Sequence, residues 1–414
     1  MTEERYNQIA IMSEDELARI SEAEYREYRG KRYLQLTDQD AAIAELMSDI
    51  AKARDGTLPV WRTGFTKLDE LLDGGFLGGN LILLGAISSL GKTTFALQIA
   101  ENLALSGKDV LVFSLEMSKK QLYSKIISRN TYKIVERQGA FGYFKEEDRL
   151  TMGDVRRGRI GEDQIDAAHP YQKRDLFEAA LAETEKLKPY LRILRDNNID
   201  VGLVETFINA HVDATGNKPF VILDYLQILK HGEDVRADKR ALTDDDVNRL
   251  KDLAVRLDLP IMAISSFNRN NYLEPVSAGS FKESGTIEYT SDILIGMQYS
   301  GMQYQKHWYT TETGKRRKVY ESMQDHNTRV RDLLEKMDED GALGLSLPVD
   351  VVLLKNRDMA KSKVLFEFCP KYNIFSEKDD QSKEALRKYD WVQEVEAAIS
   401  SSSVVSSSED LGNV

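Results

Sequence analysis

From Thr63 onward, short and almost wholly apolar runs alternate with longer amphipathic ones, an alternation that predicts a mostly parallel β-sheet covered by helices, an α/β fold. The expected strands are NLILLGA (80–86), DVLVFSLE (109–116), PFVILDYLQ (219–227), LPIMAISSF (259–267), SDILIGM (291–297), VDVVLLKNR (349–357) and KVLFEFCP (363–370). Helices are expected between them, including 93–105 and 243–257. In the second, Thr243 is placed as the cap, and Val247, Leu250, Ala254 and Leu257 form the buried face. Two charged segments, roughly 131–190 and 299–347, break the alternation and are expected outside the sheet. The second carries an amphipathic stretch through Val330, Leu333, Leu334 and Met337.

Upstream of the sheet, residues 37–62 read as a helix and a linker. Thr37 is a candidate cap, Ile43, Leu46, Met47 and Ile50 share one face, Gly56 ends the run, and TLPVWR (57–62) follows. That apolar stripe needs a partner, either within its own domain or on a neighbouring subunit. Residues 1–36 are polar, with the tyrosine-rich stretch YREYRGKRY and no core-forming period, and are expected to form a charged arm. The main domain is expected over 63–380. A tail follows at 381–414, with a possible helix around Trp391 and a Ser-rich end that cannot bury enough surface to fold.

Composition narrows the classes. The chain has 414 residues, 42% hydrophobic and 30% charged, without an apolar run of membrane-spanning length or a charged-then-apolar start, so a soluble, cytoplasmic protein is expected. One cysteine, Cys369, cannot form an internal disulfide, and five scattered histidines lack metal-ligand spacing, which argues against a structural zinc site. A net charge of -12 argues against a broad basic face on duplex DNA but allows a local basic channel.

The densest chemistry lies at GAISSLGKTT (85–94), where a strand enters, a turn follows and a helix leaves. Backbone N–H groups of such a turn cradle phosphates, Lys92 reaches the β- and γ-phosphates, and Thr93 holds Mg2+. The pattern G-x-x-x-x-G-K-[ST] wants glycine at Ala86, because Gly85 comes one residue early, but that position tolerates alanine when its backbone angles are ordinary. Ala86, Ser88, Ser89, Gly91, Lys92, Thr93 and Thr94 are therefore nucleotide-site candidates. Asp224, at the end of an apolar strand, is costly to bury without a cation and is the natural Mg2+ partner; a strand-end cap is the plainer reading. Glu116 likewise ends an apolar strand. If that strand neighbours the one bearing the loop, Glu116 can act as general base on the attacking water; otherwise it is a solvated charge.

Taken in order, TGFTKLDELLDGGF, AISSLGKTTFALQIAENLA, VLVFSLEMS, VILDYLQIL, LPIMAISSFNRN, FKESGTIEYTSDILI and VDVVLLKNRDMAKSKVLFEF resemble the RecA-like motor domain of DnaB-type replicative helicases, over about residues 40–376. That family commonly has alanine at the position of Ala86. The resemblance implies an ATP- and Mg2+-dependent helicase: a ring, usually a hexamer, with ATP at each subunit boundary and single-stranded DNA in the central channel. It implies that Lys355 and Arg357 are the pair a neighbouring subunit inserts toward the γ-phosphate, with Arg357 as arginine finger. It implies that Lys282, Glu283 and Gly285 belong to the loop holding the DNA backbone, and that the helix near 41–55 is the family's linker helix, docked on an adjacent subunit. A primase or loader is an expected partner.

Three departures qualify that reading. The family usually places glutamine at Ser266, where it senses the γ-phosphate and couples it to the DNA loops; serine is much shorter. The family's globular N-terminal domain, used for the collar and for primase, is expected to have no counterpart here. GKRRKVYE in the second charged segment touches DNA or a partner, or is simply a solvated face, and RRGRIGEDQ in the first is equally open. These departures motivate an alternative: a RecA-like ring ATPase acting as a recombination mediator or protein-assembly switch without unwinding.

Overall fold

The computed structural model describes residues 2–10, 12, 14–17, 19–139, 142–161, 172–196, 199–226, 229, 239–281, 284–310, 316–357 and 362–378. The expected helix near Trp391 and the Ser-rich tail lie outside the described residues. Two compact units are present, Met1–Pro59 and Val60–Val414.

The first unit is helical: α1 (Glu3–Ala10), α2 (Glu14–Leu17), α3 (Glu22–Leu36) and α4 (Gln39–Arg54). The expectation of an arm with no core-forming period gives way here, because α1 and α3 pair. Arg5 bonds Glu24 at 2.6 Å, Lys31 bonds Glu3 at 2.9 Å, the Tyr6 and Tyr28 rings lie 5.1 Å apart, and Ile9 and Tyr28 are buried. The clasp uses aromatic and ionic contacts between segments, which no apolar period announces. Ser21 caps α3 by accepting from the Glu24 N–H. The cap of α4 is Asp38, which accepts from the Ala41 N–H, whereas Thr37 closes the C-terminus of α3. The α4 stripe of Ile43, Leu46, Met47 and Ile50 is exposed.

The second unit runs β1 (Val60–Trp61), α5 (Thr66–Leu71), β2 (Phe76–Leu77), β3 (Leu81–Ala86), α6 (Lys92–Leu105), β4 (Val110–Ser114), α7 (Lys119–Gln138), α8 (Met152–Arg157), α9 (Gln172–Glu185), β5 (Leu191–Leu194), α10 (Val201–Thr215), β6 (Phe220–Asp224), α11 (Lys239–Leu257), β7 (Ile261–Ser266), α12 (Ser284–Thr290), β8 (Ile293–Tyr299), β9 (Lys306–Thr310), β10 (Arg316–Tyr320), α13 (Met323–Ala342), β11 (Leu347–Asn356), β12 (Ser362–Cys369) and β13 (Ile374–Glu377). Nine strands form one sheet in the order β13-β12-β11-β8-β3-β7-β6-β4-β5. From β8 to β5 all pairings are parallel; β11, β12 and β13 add an antiparallel flank. Central strands are buried on both faces, so successive residues feed opposite cores: Ile82 and Leu84 face the layer containing α6 and α13, and Leu81 and Leu83 face the layer of α10 and α11.

All seven expected strands are present, and β5 and β13 are additional edge strands that the sequence pattern did not reveal. Helix α11 begins at Lys239, so Thr243 is a buried interior residue rather than its cap, while Val247, Leu250 and Ala254 are buried as expected. Within the first charged segment, Val135, Phe144 and Leu176 make a small satellite core. In the second, β9 and β10 pair only with each other, and α13 sends Val330, Leu333 and Met337 into the main core.

Candidate nucleotide site

The loop between β3 and α6 owes its path to two glycines with different jobs. Gly91 has φ +90°, and a Cβ there would lie 2.8 Å from the Phe368 ring, so both backbone angle and space require glycine. Gly85, the residue one place early in the pattern, is a strand glycine: a side chain there would collide with Phe267 and Phe281, themselves an edge-to-face pair 5.0 Å apart. Ala86 is fully buried, and its carbonyl accepts from Lys92 Nζ at 3.1 Å, with the Ile87 carbonyl at 3.0 Å. Ser89, in the turn, has φ +67°.

Ser88, Ser89, Gly91, Lys92, Thr93, Thr94, Glu116, Asp224 and Ser266 all line one cleft of about 500 Å³ at the C-terminal ends of the parallel strands. This is where open α/β sheets place ligands. Ala86 does not line it; its part is the carbonyl that holds Lys92.

Asp224 is buried, and its Oδ2 has no hydrogen-bond partner. Burial pushes its carboxyl up to about 6, against the opposing pull of a hydrogen bond from Thr93, with the nearby Glu116 charge adding to the rise and Lys92 and Lys125 lowering it. An orphaned buried carboxylate oxygen beside a threonine hydroxyl fits a hard divalent cation that takes one carboxylate and fills its remaining positions with phosphate and water. Among the described residues there is no cluster of three or more His, Cys, Asp or Glu, so any such ion needs a phosphate to complete its shell.

Glu116 reaches the cleft by a different route from the one anticipated. Strand β4 is not the neighbour of β3, since β7 and β6 lie between them. At ~4.8 Å per strand the separation is ~14 Å. Glu116 lies two residues beyond β4, and the Leu115 N–H bonds the Asp224 carbonyl at 2.8 Å, which brings that bend over the neighbouring strand end.

Sequence reasoning missed Lys125. It lies on α7, donates to Thr94 Oγ1 at 3.0 Å and Asn373 Oδ1 at 2.7 Å, and lines the cleft. Burial lowers its ammonium to about 8, helped by Arg129 and opposed by Asp224. A lysine set between Leu122 and Arg129 on the buried stripe of α7 was the available signal.

Lys355 and Arg357 lie away from this cleft. Asn356 pairs with Ile293, at the opposite end of β8 from Met297, which is the partner of Ala86. Arg357 Nε meets Asp292 Oδ1 at 3.2 Å, while Asp292 Oδ2 accepts from Lys251 at 2.7 Å and from the Leu81 N–H at 2.8 Å. Lys355 Nζ donates to the carbonyls of Glu288, Tyr289 and Ser291 at 2.6, 3.2 and 2.5 Å, closing the C-terminus of α12. Gly285 lies in the first turn of α12, and Lys282 and Glu283 lie outside the described residues.

A phosphate loop between a parallel strand and a helix, faced by a buried acid from an inner strand, defines a P-loop ATPase of the RecA-like α/β fold. The chain belongs to the family of the DnaB-like helicase C terminal domain, whose model matches residues 61–377. Similar proteins include the replicative DNA helicase DnaB of Helicobacter pylori, 26% identical over 76% of this chain and 59% of that protein. That of Haemophilus influenzae is 30% identical over 56% of this chain and 45% of that protein. The chain thus spans less than two thirds of the length of these curated relatives. Among solved structures, an ATPase domain solved by itself matches with a TM-score of 0.61 and 20% identity, covering 82% of this chain and 98% of that one. A DnaB-like replicative helicase, solved in a study of its interactions with primase, matches with a TM-score of 0.59 and 19% identity, covering 91% of this chain and 76% of that one.

Proposed function

We propose that this chain is the motor of an ATP-dependent DNA helicase that moves along single-stranded DNA during replication. The observation that carries the reading is the separation of the cleft from Arg357 across one sheet. Four residues of β8, from Ile293 to Met297, divide the two levels. At ~3.3 Å per residue that is ~13 Å. Arg357, held by Asp292 at the far end, serves the cleft of another copy and not its own. A head-to-tail ring, a hexamer by family resemblance, supplies such an interface at every cleft.

In that cleft Lys92 and the turn N–H groups hold the β- and γ-phosphates, and Glu116 takes the proton of the attacking water. Thr93 and Asp224 are the residues that hold Mg2+, which, when bound, neutralises charge on the bridged phosphates. Arg357 of the adjacent copy stabilises charge that develops in the transition state, so turnover reports on subunit position. The exposed stripe of α4 fits the linker helix that docks on a neighbour. Lys282, Glu283 and Gly285 are the DNA-backbone candidates, a concentrated contact compatible with a net charge of -12. A primase or loader is the partner class. Family and relatives favour this reading over a ring ATPase without unwinding.

The test is unwinding of a forked duplex with ATP and Mg2+ by the wild type and by Lys92→Ala. Strand separation confined to the wild type is expected. ATP turnover that never separates strands would favour the mediator or switch instead.

A further inference from the structure

Ser266 stands beside Ala86 in the β3–β7 pairing and lines the cleft, but its hydroxyl sits directly on Cβ and cannot span from a γ-phosphate to a distant loop. A different side chain makes a connection of that kind. The Tyr272 phenol oxygen lies 3.1 Å from the Ser88 hydroxyl and accepts from the Ser88 N–H at 3.4 Å. Ser88 belongs to the phosphate loop, while Tyr272 belongs to the excursion that follows β7.

That excursion is a closed unit. Its neck is the Phe267–Phe281 bridge together with the Asn268 N–H to Ser280 carbonyl bond of 2.8 Å, and the Asn271 amide bonds the Gly279 carbonyl at 2.8 Å across it. The Phe267 N–H in turn bonds the Ala86 carbonyl at 3.3 Å. The neck leads directly into Lys282 and then α12, whose C-terminal carbonyls hold Lys355. Tyr272 packs its ring against the core beneath. The phosphate loop therefore touches, through one phenol, a unit that ends at the candidate DNA loop.

We propose that Tyr272 is a positioning residue that couples phosphate occupancy of the 85–94 turn to the 268–281 loop, taking over the link that Ser266 is too short to make; this rests on the nucleotide reading of that turn. The Ser88 N–H bond to Tyr272 is long and weak, and a phosphate oxygen is a stronger acceptor. When phosphate draws on the N–H groups of the turn, Tyr272 loses its hold on Ser88, and the tip of the loop is freed to move against its neck.

The test is hydrogen–deuterium exchange of the full chain with and without Mg2+ and ATPγS, for the wild type and Tyr272→Phe, which keeps the ring and its packing. In the wild type, nucleotide should slow exchange at 86–94 and speed it at least twofold at 269–274. In Tyr272→Phe, residues 269–274 should exchange fast from the start and gain nothing from nucleotide, with protection at 86–94 retained. The variant should keep DNA-free ATP hydrolysis within about twofold and lose about fivefold of its stimulation by a dT oligonucleotide, the yield of one ordinary hydrogen bond. An unchanged nucleotide response at 269–274 in Tyr272→Phe, or none in the wild type while 86–94 is protected, overturns the coupling role. Absence of protection at 86–94 overturns the nucleotide reading beneath it.

Discussion

Arg357→Ala offers the sharpest test of an active site shared between copies, because the sheet places that residue at the wrong end of its own subunit. The ~13 Å of β8 between the two levels, with Arg357 anchored on Asp292 at the far one, leaves no route to the chain's own cleft. An arginine finger is worth roughly 10³ or more in turnover. Arg357→Ala should therefore lose ATP hydrolysis by about that factor while binding a fluorescent ATP analogue with near wild-type affinity. Lys92→Ala should lose hydrolysis through the other half of the site. Mixing the two variants before assembly is the decisive assay: in a random one-to-one mixture, roughly a quarter of the interfaces combine an intact Lys92 with an intact Arg357 across a head-to-tail contact. Steady-state hydrolysis of the mixture should rise well above either parent. Full hydrolysis by Arg357→Ala alone, or a co-assembled mixture no more active than its parents, would refute the shared site.

Further outcomes follow from the cleft and the turn. Asp224 has its folded-state pKa raised to about 6, so protonation favours the folded chain; that contribution is fully present below the ordinary carboxylate range and is lost as pH rises through about 6. Mg2+ binding requires the ionised form, so affinity for Mg2+-ATP should fall as pH drops below about 6, with proton release measurable by calorimetry in buffers of different ionisation enthalpy, and Asp224→Asn should abolish that pH dependence. Gly91→Ala places a side chain at φ +90° against Phe368 and should cost about 1–3 kcal/mol, read as a lowered denaturation midpoint, together with loss of nucleotide binding. Leu46→Asp on the exposed stripe of α4 should shift the assembly toward smaller species by light scattering while leaving the secondary structure unchanged.

The phosphate turn was legible in the chain because its chemistry is local: strand, glycine, lysine and threonine are consecutive, and their backbone path is fixed within a few residues. Asp224 was legible for a related reason, since a carboxylate closing a wholly apolar strand has few ways to be satisfied. Lys125 was not, because a lysine on a helix declares its role only when packing shows which face is buried. Glu116 fell between the two. Its place at a strand end could be read, but its route into the cleft depended on a bend whose N–H bonds the neighbouring strand.

By itself the sequence determined the α/β class, the seven inner strands and the phosphate turn, all consequences of side-chain periodicity and of short-range backbone preferences. The tertiary structure decided the rest. Strand order, the distance from cleft to Arg357, the edge strands β5 and β13, and the contact between Ser88 and Tyr272 arise from pairings between segments far apart in the chain. Which partners a strand, a tyrosine or a lysine meets is set by how the whole apolar surface is best buried, and no local window contains that information.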